Sequence, residues 1–398
     1  MKTPIKYSFS ALLALFLLAS CETAPENQVT YDFTRNGVST VSFSGQTARI
    51  GMATELLAAM QDLDRTSIEL AEMYANQTPT GEDVAPFSDP ALNSSTKSIK
   101  SKIAASADFF SSNTVEGAAI KETIQSYIEE QANEVFVAKD EQASARQAGR
   151  LTDSESTQLV NAQGLVLDEV VKASISGALM IDQICNNYVS TSVLDAGTNV
   201  EENNQGLVEA GKPFTTMEHK WDEAYGYLFG ATGVGQESEP LLNDDPFLNA
   251  LLTEINGDTD FNTIADDVFY ALAEGRAAIV EQNYDLRNIQ ATIIREKLSL
   301  VIAVNTVKAL QLGKQNLNNN LQATAFSELS KSYGLIQALR FLRQPNSNQS
   351  IFSNAEVSDI KEQMISGEGL WDITPATIDD VSAVITSKFD FSIAETIN

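Results

Sequence analysis

Residues 44–74 read SGQTARIGMATELLAAMQDLDRTSIELAEMY, and their spacing decides the fold class. Met52, Leu56, Ala59/Met60, Leu63, Ser67, Leu70 and Tyr74 recur every three or four residues, the period of one helix face, and Ser44 is placed to cap the start. The same period returns at 96–111, 115–140, 157–189, 215–229, 246–255, 261–280, 285–312 and 324–342, and in two shorter helices within 353–393. Between these stretches lie polar, Pro- and Gly-bearing loops, notably 77–95 and 190–212. Strand-like alternation is confined to 31–43 (YDFTRNGVSTVSF), where Asn36-Gly37 marks a tight turn between aromatic and β-branched residues. The expectation is therefore an all-α protein of two packed helical bundles, about 44–195 and about 213–345, followed by C-terminal helices at about 353–393. A small hairpin or extended cap opens it. Met52, Met60 and Met73 share the leucine spacing and so belong to the core stripe rather than to a copper-binding box.

The N-terminus carries an address. MKTPIKYSFSALLALFLLASC has a positive n-region (Lys2, Lys6), an apolar stretch at 11–18 too short to span a bilayer permanently, and two small residues before a cysteine. Leu18-Ala19-Ser20-Cys21 resembles the lipobox at which a lipoprotein signal peptidase cuts after diacylating the thiol. Residues 1–20 are then a signal peptide, Cys21 the lipidated first residue, 21–29 a polar tether, and 30–398 the folded domain. This predicts a lipoprotein of the bacterial cell envelope, attached to the membrane through Cys21 and assigned to the outer membrane. Cys185 would be the one remaining thiol, sitting in an apolar helical stretch, so no intramolecular disulfide staples the fold.

With 54 acidic and 26 basic residues the chain carries a formal charge of −28, which becomes −30 once Lys2 and Lys6 leave with the signal peptide. Such a surface repels nucleic acid and anionic headgroups and favours cations or cationic partners, so DNA or RNA binding is not expected.

One constellation could carry chemistry. His219 is the only histidine, in TTMEHKWDEAYGYLFG, and Asp222 and Glu223 follow it at i+3 and i+4. Gly226 and Gly230 extend that face, where a ligand or another helix could approach closely. Imidazole with carboxylates suits iron, zinc, manganese or copper, with further carboxylates from other helices completing the shell. The competing reading is a hydrogen-bonded polar cluster. Arg276, among apolar neighbours at helical spacing, calls for a carboxylate partner in a structural ion pair. Trp371 reads as a packing anchor, and the acidic run at 237–245 as a solvated loop.

The motif at 219–222 resembles that of the imelysin-like family, Gly-x-His-x-x-Glu, with Met217 in place of the glycine and Asp222 in place of the glutamate. The opening at 31–43, KASISGALMIDQ at 172–183, HKWDEAYGY at 219–227 and ALAEGRAAI at 271–279 resemble more closely an uncharacterised domain family of bacterial lipoproteins allied to imelysins. The resemblance covers most of residues 30–392. It implies two helical bundles, an envelope location, His219 and Asp222 as metal ligands, and a role beside other components of an iron or haem uptake system. The cofactor would be a metal ion, iron before zinc or copper, or haem. Two other classes compete with metal or haem capture: a structural or interaction lipoprotein without metal, and a hydrolase. Catalysis is not expected. A zincin helix needs two histidines four apart, and no G-x-S-x-G nucleophile elbow is present.

Overall fold

A computed structural model describes residues 30–233, 237–345, 347 and 349–397, so the expected signal peptide, the expected lipidation at Cys21 and the expected tether lie outside the described residues. The fold is all-α. The chain opens with a two-residue-strand hairpin, β1 (Thr34–Arg35) and β2 (Val38–Ser39), turned at Asn36-Gly37. Both turn residues have positive φ, 53° and 78°, which Asn tolerates and Gly adopts freely, so this dipeptide fixes the hairpin's register.

The helices follow in order: α1 (Ser44–Ala59), α2 (Ser67–Ala75), the one-turn α3 (Pro90–Asn93), α4 (Ile99–Lys102) and α5 (Ala107–Phe110), then α6 (Thr114–Glu130) and α7 (Leu167–Ile175). Short α8 (Thr191–Leu194) and α9 (Asn199–Asn204) occupy the polar connection. The second half holds α10 (Thr216–Phe229), α11 (Leu248–Asn256), α12 (Ile264–Val280), the 35-residue α13 (Tyr284–Asn318), α14 (Gln322–Ala338), α15 (Asn354–Met364) and α16 (Pro375–Thr386).

Capping explains several starts. Thr66, Thr215 and Ser353 each accept a hydrogen bond from the N3 backbone while the N3 glutamate accepts the cap residue's own amide, giving α2, α10 and α15 reciprocal caps. The long α13 packs against α11, α12, α14 and α16, while α14 also lies against α7 in the first half. Helices from both halves of the chain thus enclose one continuous apolar core.

The structure departs from the sequence reading at 149–160. The helix expected to begin at 157 starts at Leu167, and residues before it form a second hairpin, β3 (Gly149–Thr152) with β4 (Thr157–Val160). Its turn is held by Asp153, whose carboxylate accepts the Glu155 and Ser156 amides at 2.8 Å, a side-chain device that carries no Gly or Pro signature. Beyond α7 the helical path widens into π-type turns at Ser176–Ile181 and Ile184–Tyr188, which burial of nearly every side chain there holds in place. Trp371 anchors the C-terminal segment, donating to the Ala162 carbonyl at 3.2 Å and meeting Phe326 edge-on. Cys185 is buried, and its surroundings push the thiol up to about 12, leaving it an inert core residue.

Candidate functional site

Helix α10 is buried on almost every side, and this decides what its polar residues meet. Asp222 is fully buried. One of its oxygens accepts from Arg276 Nε at 2.9 Å and from the Tyr31 hydroxyl at 2.8 Å, and the other accepts the Ser42 amide at 3.2 Å. Arg276, equally buried, also meets Glu218 at 3.3 Å and donates to the Thr40 hydroxyl at 3.0 Å, with its guanidinium over the Phe33 ring. Glu218 in turn receives both Nη groups of Arg35 at 3.0 Å. Two arginines and two carboxylates therefore neutralise one another and fasten residues 31–42 onto α10 and α12. The carboxylate that Arg276 required is Asp222, with Glu218 beside it.

Charge follows this geometry. Burial raises the Asp222 carboxyl above its ordinary value, more than Arg276 lowers it. For Glu218 burial pulls the same way, but Arg276 and Arg35 outweigh it and hold the carboxyl low.

The three expected metal ligands do not converge. His219 donates from Nδ1 to the Ser42 carbonyl at 2.9 Å, and its ring stacks on Phe214. Glu223 accepts from Gln46 at 3.0 Å and from Lys220 at 2.7 Å; burial pushes its carboxyl up, but the Lys220 ammonium and the bond from Gln46 help to more than reverse this. Among the described residues no group of three or more His, Cys, Asp or Glu is placed to hold a metal ion. The reason is angular. At about 100° per residue, i+3 and i+4 fall on either side of the i position, so Asp222 and Glu223 diverge by ~100° and a helix packed all round gives each a different neighbour. The structure therefore does not bring His219, Asp222 and Glu223 together around one point.

The glycine face is also filled from within. A Cβ at Gly226 would lie 2.3 Å from the Phe43 Cβ, so what comes close is the exit of the chain's own hairpin.

Beside that exit lies a cleft of about 960 Å³ between α1, the 89–92 turn and the 231–233 and 244–246 segments. Its lining includes three carboxylates, Glu55, Asp89 and Asp244, and, among the described residues, no lysine or arginine. Each carboxylate also serves backbone amides. Glu55 accepts from Ser88 and Asp89, Asp89 from Ala91, and Asp244 from Ala231, so the loops are ordered around the acids. The hydroxyls of Thr47 and Thr54 and the apolar Phe43, Ile50 and Leu92 complete the wall. Residues 237–245 form a loop, as expected, but its last acid, Asp245, is buried rather than solvated. One of its oxygens accepts the Phe247 amide at 2.7 Å, the other has no hydrogen-bond partner among the described residues, and burial lifts its carboxyl to about 7.

Sequence reading missed Tyr31, Arg35, Thr40 and Glu218 as members of the buried cluster. Thr215-x-x-Glu218, a capping-box pattern, was the one available signal, and it announces the cap rather than the arginines. The cleft had no signal, because its acids come from segments distant in sequence. No curated protein and no solved structure matches the chain. A family model described as a domain of unknown function, DUF4856, matches residues 28–392, nearly the whole chain, and the protein belongs to that family.

Proposed function

We propose that the mature chain is a bacterial cell-envelope lipoprotein, held at the outer membrane by lipid on Cys21, and that its helical body is a binding module taking a cationic ligand in the cleft beside α1. The lining of that cleft carries the proposal: three carboxylates, no basic residue among the described residues, and apolar floor residues against which the ligand's hydrocarbon can pack. Attachment through lipid suits a chain in which, among the described residues, no helix is long and apolar enough to cross a membrane. The test is thermal melting of the mature domain with spermidine as probe. Saturable stabilisation is expected for the wild type and should be lost in Thr54→Arg, which puts a competing cation at an exposed position on the cleft wall. Equal behaviour of the two proteins would refute the assignment.

A second reading keeps the imelysin-like kinship and the place in iron or haem uptake. One observation favours it: the Ser42 carbonyl fixes the Nδ1–H tautomer of His219 and leaves Nε2, without a hydrogen-bond partner among the described residues, as a free lone pair on a half-buried ring. Haem iron needs only one such axial nitrogen from the protein. Haemin titration followed by its Soret band decides this reading; a spectrum of His219→Ala identical to wild type would dismiss it.

A further inference from the structure

Two cavities meet at Lys361 on α15. An outer cleft of about 620 Å³ and an inner cavity of about 140 Å³ share Thr123, Tyr127, Gln337 and Lys361 in their walls, so the amine stands between them. Lys308, Lys314, Lys331 and Lys388 each meet a carboxylate, whereas Lys361 has none among the described residues. Its hydrogen bond runs to the Gln337 side-chain oxygen at 3.2 Å, and the ammonium lies 4.2 Å from the centre of the Tyr333 ring. A lysine that only packs against tyrosine could stop there.

The surrounding groups go further, because they are mostly donors. The Tyr127 and Tyr333 hydroxyls lie 3.4 Å apart, where one donates to the other and the second proton remains to be given. The Gln337 side-chain oxygen is taken by Lys361, leaving its amide hydrogens directed elsewhere. Arg340, from the turn after α14, lines the inner cavity and is paired with Glu116 of α6. Burial, with Arg340 adding to it, pulls the Lys361 amine down to about 8, as expected of a cation that lacks its counter-charge. Ala119, Ile120 and Ile124 give the inner wall its apolar part, beside Ser174 and the Glu116 carboxylate that Arg340 neutralises.

We infer that α6, α14 and α15 form a binding site for a small organic monocarboxylate. Its oxygens would be received by Lys361, the tyrosine hydroxyls and the Gln337 amide, and its apolar body would enter the inner cavity. An anion here supplies the missing counter-charge, and the apolar wall selects a carboxylate with a hydrocarbon body over inorganic phosphate.

Isothermal titration of the mature protein with benzoate tests this, with inorganic phosphate and uncharged benzamide as parallel arms. Saturable one-to-one binding of benzoate at pH 7 is expected, at least about tenfold tighter than either comparison ligand. Lys361→Met should weaken it about tenfold or more. Thr123→Trp, at an exposed position on the shared wall, should block entry without touching the core and so covers the case in which Lys361→Met misfolds. Raising the pH from 7 to 9 should weaken binding about tenfold as the free amine loses its proton. The other charged and titratable groups around the amine are Glu116 and Tyr127 on α6, Tyr333 on α14, Arg340 after it, and exposed Glu362 on α15 itself. The two tyrosines titrate above that range, since burial raises both. No saturable benzoate binding, equal binding of phosphate or benzamide, or unchanged binding in both variants would overturn the inference.

Discussion

Replacing Asp222 by Asn tests whether this motif carboxylate is a structural lock. The substitution keeps the side chain's size but removes the charge that faces Arg276 at 2.9 Å, and both groups are fully buried. Breaking one partner out of a buried pair costs about 3–5 kcal/mol. Here Glu218, 3.3 Å from the same guanidinium, retains part of the counter-charge, which places the loss at the lower end, about 3 kcal/mol. A domain of roughly 370 residues unfolds with an entropy near 0.8 kcal/mol per kelvin, so the melting temperature should fall by about 4 °C. The loss should be local in its dynamics. Tyr31 and the Ser42 amide both bond to Asp222, so hydrogen exchange should accelerate across residues 31–43 before it does in α13. Calorimetry and exchange mass spectrometry measure the two effects. The double variant Asp222→Asn with Arg276→Met should recover part of the loss, because it removes the orphaned cation. A melting temperature within about 1 °C of wild type, with the hairpin still protected, would refute the locking role.

Three further outcomes are expected. Gly226→Ala should lower stability by about 1–3 kcal/mol in denaturant titration, since its new Cβ would press on Phe43 and displace the hairpin's exit. Acidification from about pH 8 to 5 should raise the melting temperature, because Asp245 and Asp182, lifted by burial to about 7 and about 6, bind protons in the folded chain where unfolded carboxylates, near 3.9, have lost theirs. Asp245→Asn should reduce that rise, and a wild-type curve that is flat or falls towards pH 5 would count against it. Below about pH 4 the direction reverses, as Glu356, held at about 2 by Lys388 and by its bonds to Ser353, is protonated in the unfolded chain first. Cys21→Ser should release the protein from membranes in cell fractionation; retention after a salt wash would contradict lipid attachment.

Helical content was legible because the apolar period holds over long stretches, as at 44–74, although the structure interrupts that stretch between Ala59 and Ser67 and Ser44 is the first helical residue rather than a side-chain cap; the first hairpin was legible because Asn36-Gly37 is a turn signal on its own. The second hairpin was not. Its strands are four residues each and its turn relies on Asp153 rather than glycine, so apolar spacing carried the helix ten residues too far towards the N-terminus. The α10 motif was half legible. Spacing placed His219, Asp222 and Glu223 on neighbouring positions, and the environment of Arg276 demanded a carboxylate, yet nothing local joined the two demands. Only the fold brings position 276 to 222, and only the returning hairpin supplies Tyr31, Thr40 and Ser42. The acid-lined cleft lay wholly outside what periodicity reports, because Glu55, Asp89 and Asp244 belong to three separate segments.

The most direct test of the binding-module account is a calorimetric titration of spermidine into the mature domain and into Thr54→Arg, repeated at two salt concentrations. A chain of such negative charge attracts polyamines diffusely, and that background weakens with salt without saturating at any stoichiometry. The account predicts one saturable site per chain in the wild type, persisting at about 0.15 M salt and absent from Thr54→Arg. Heats that never saturate, or that are the same in both proteins, would contradict it.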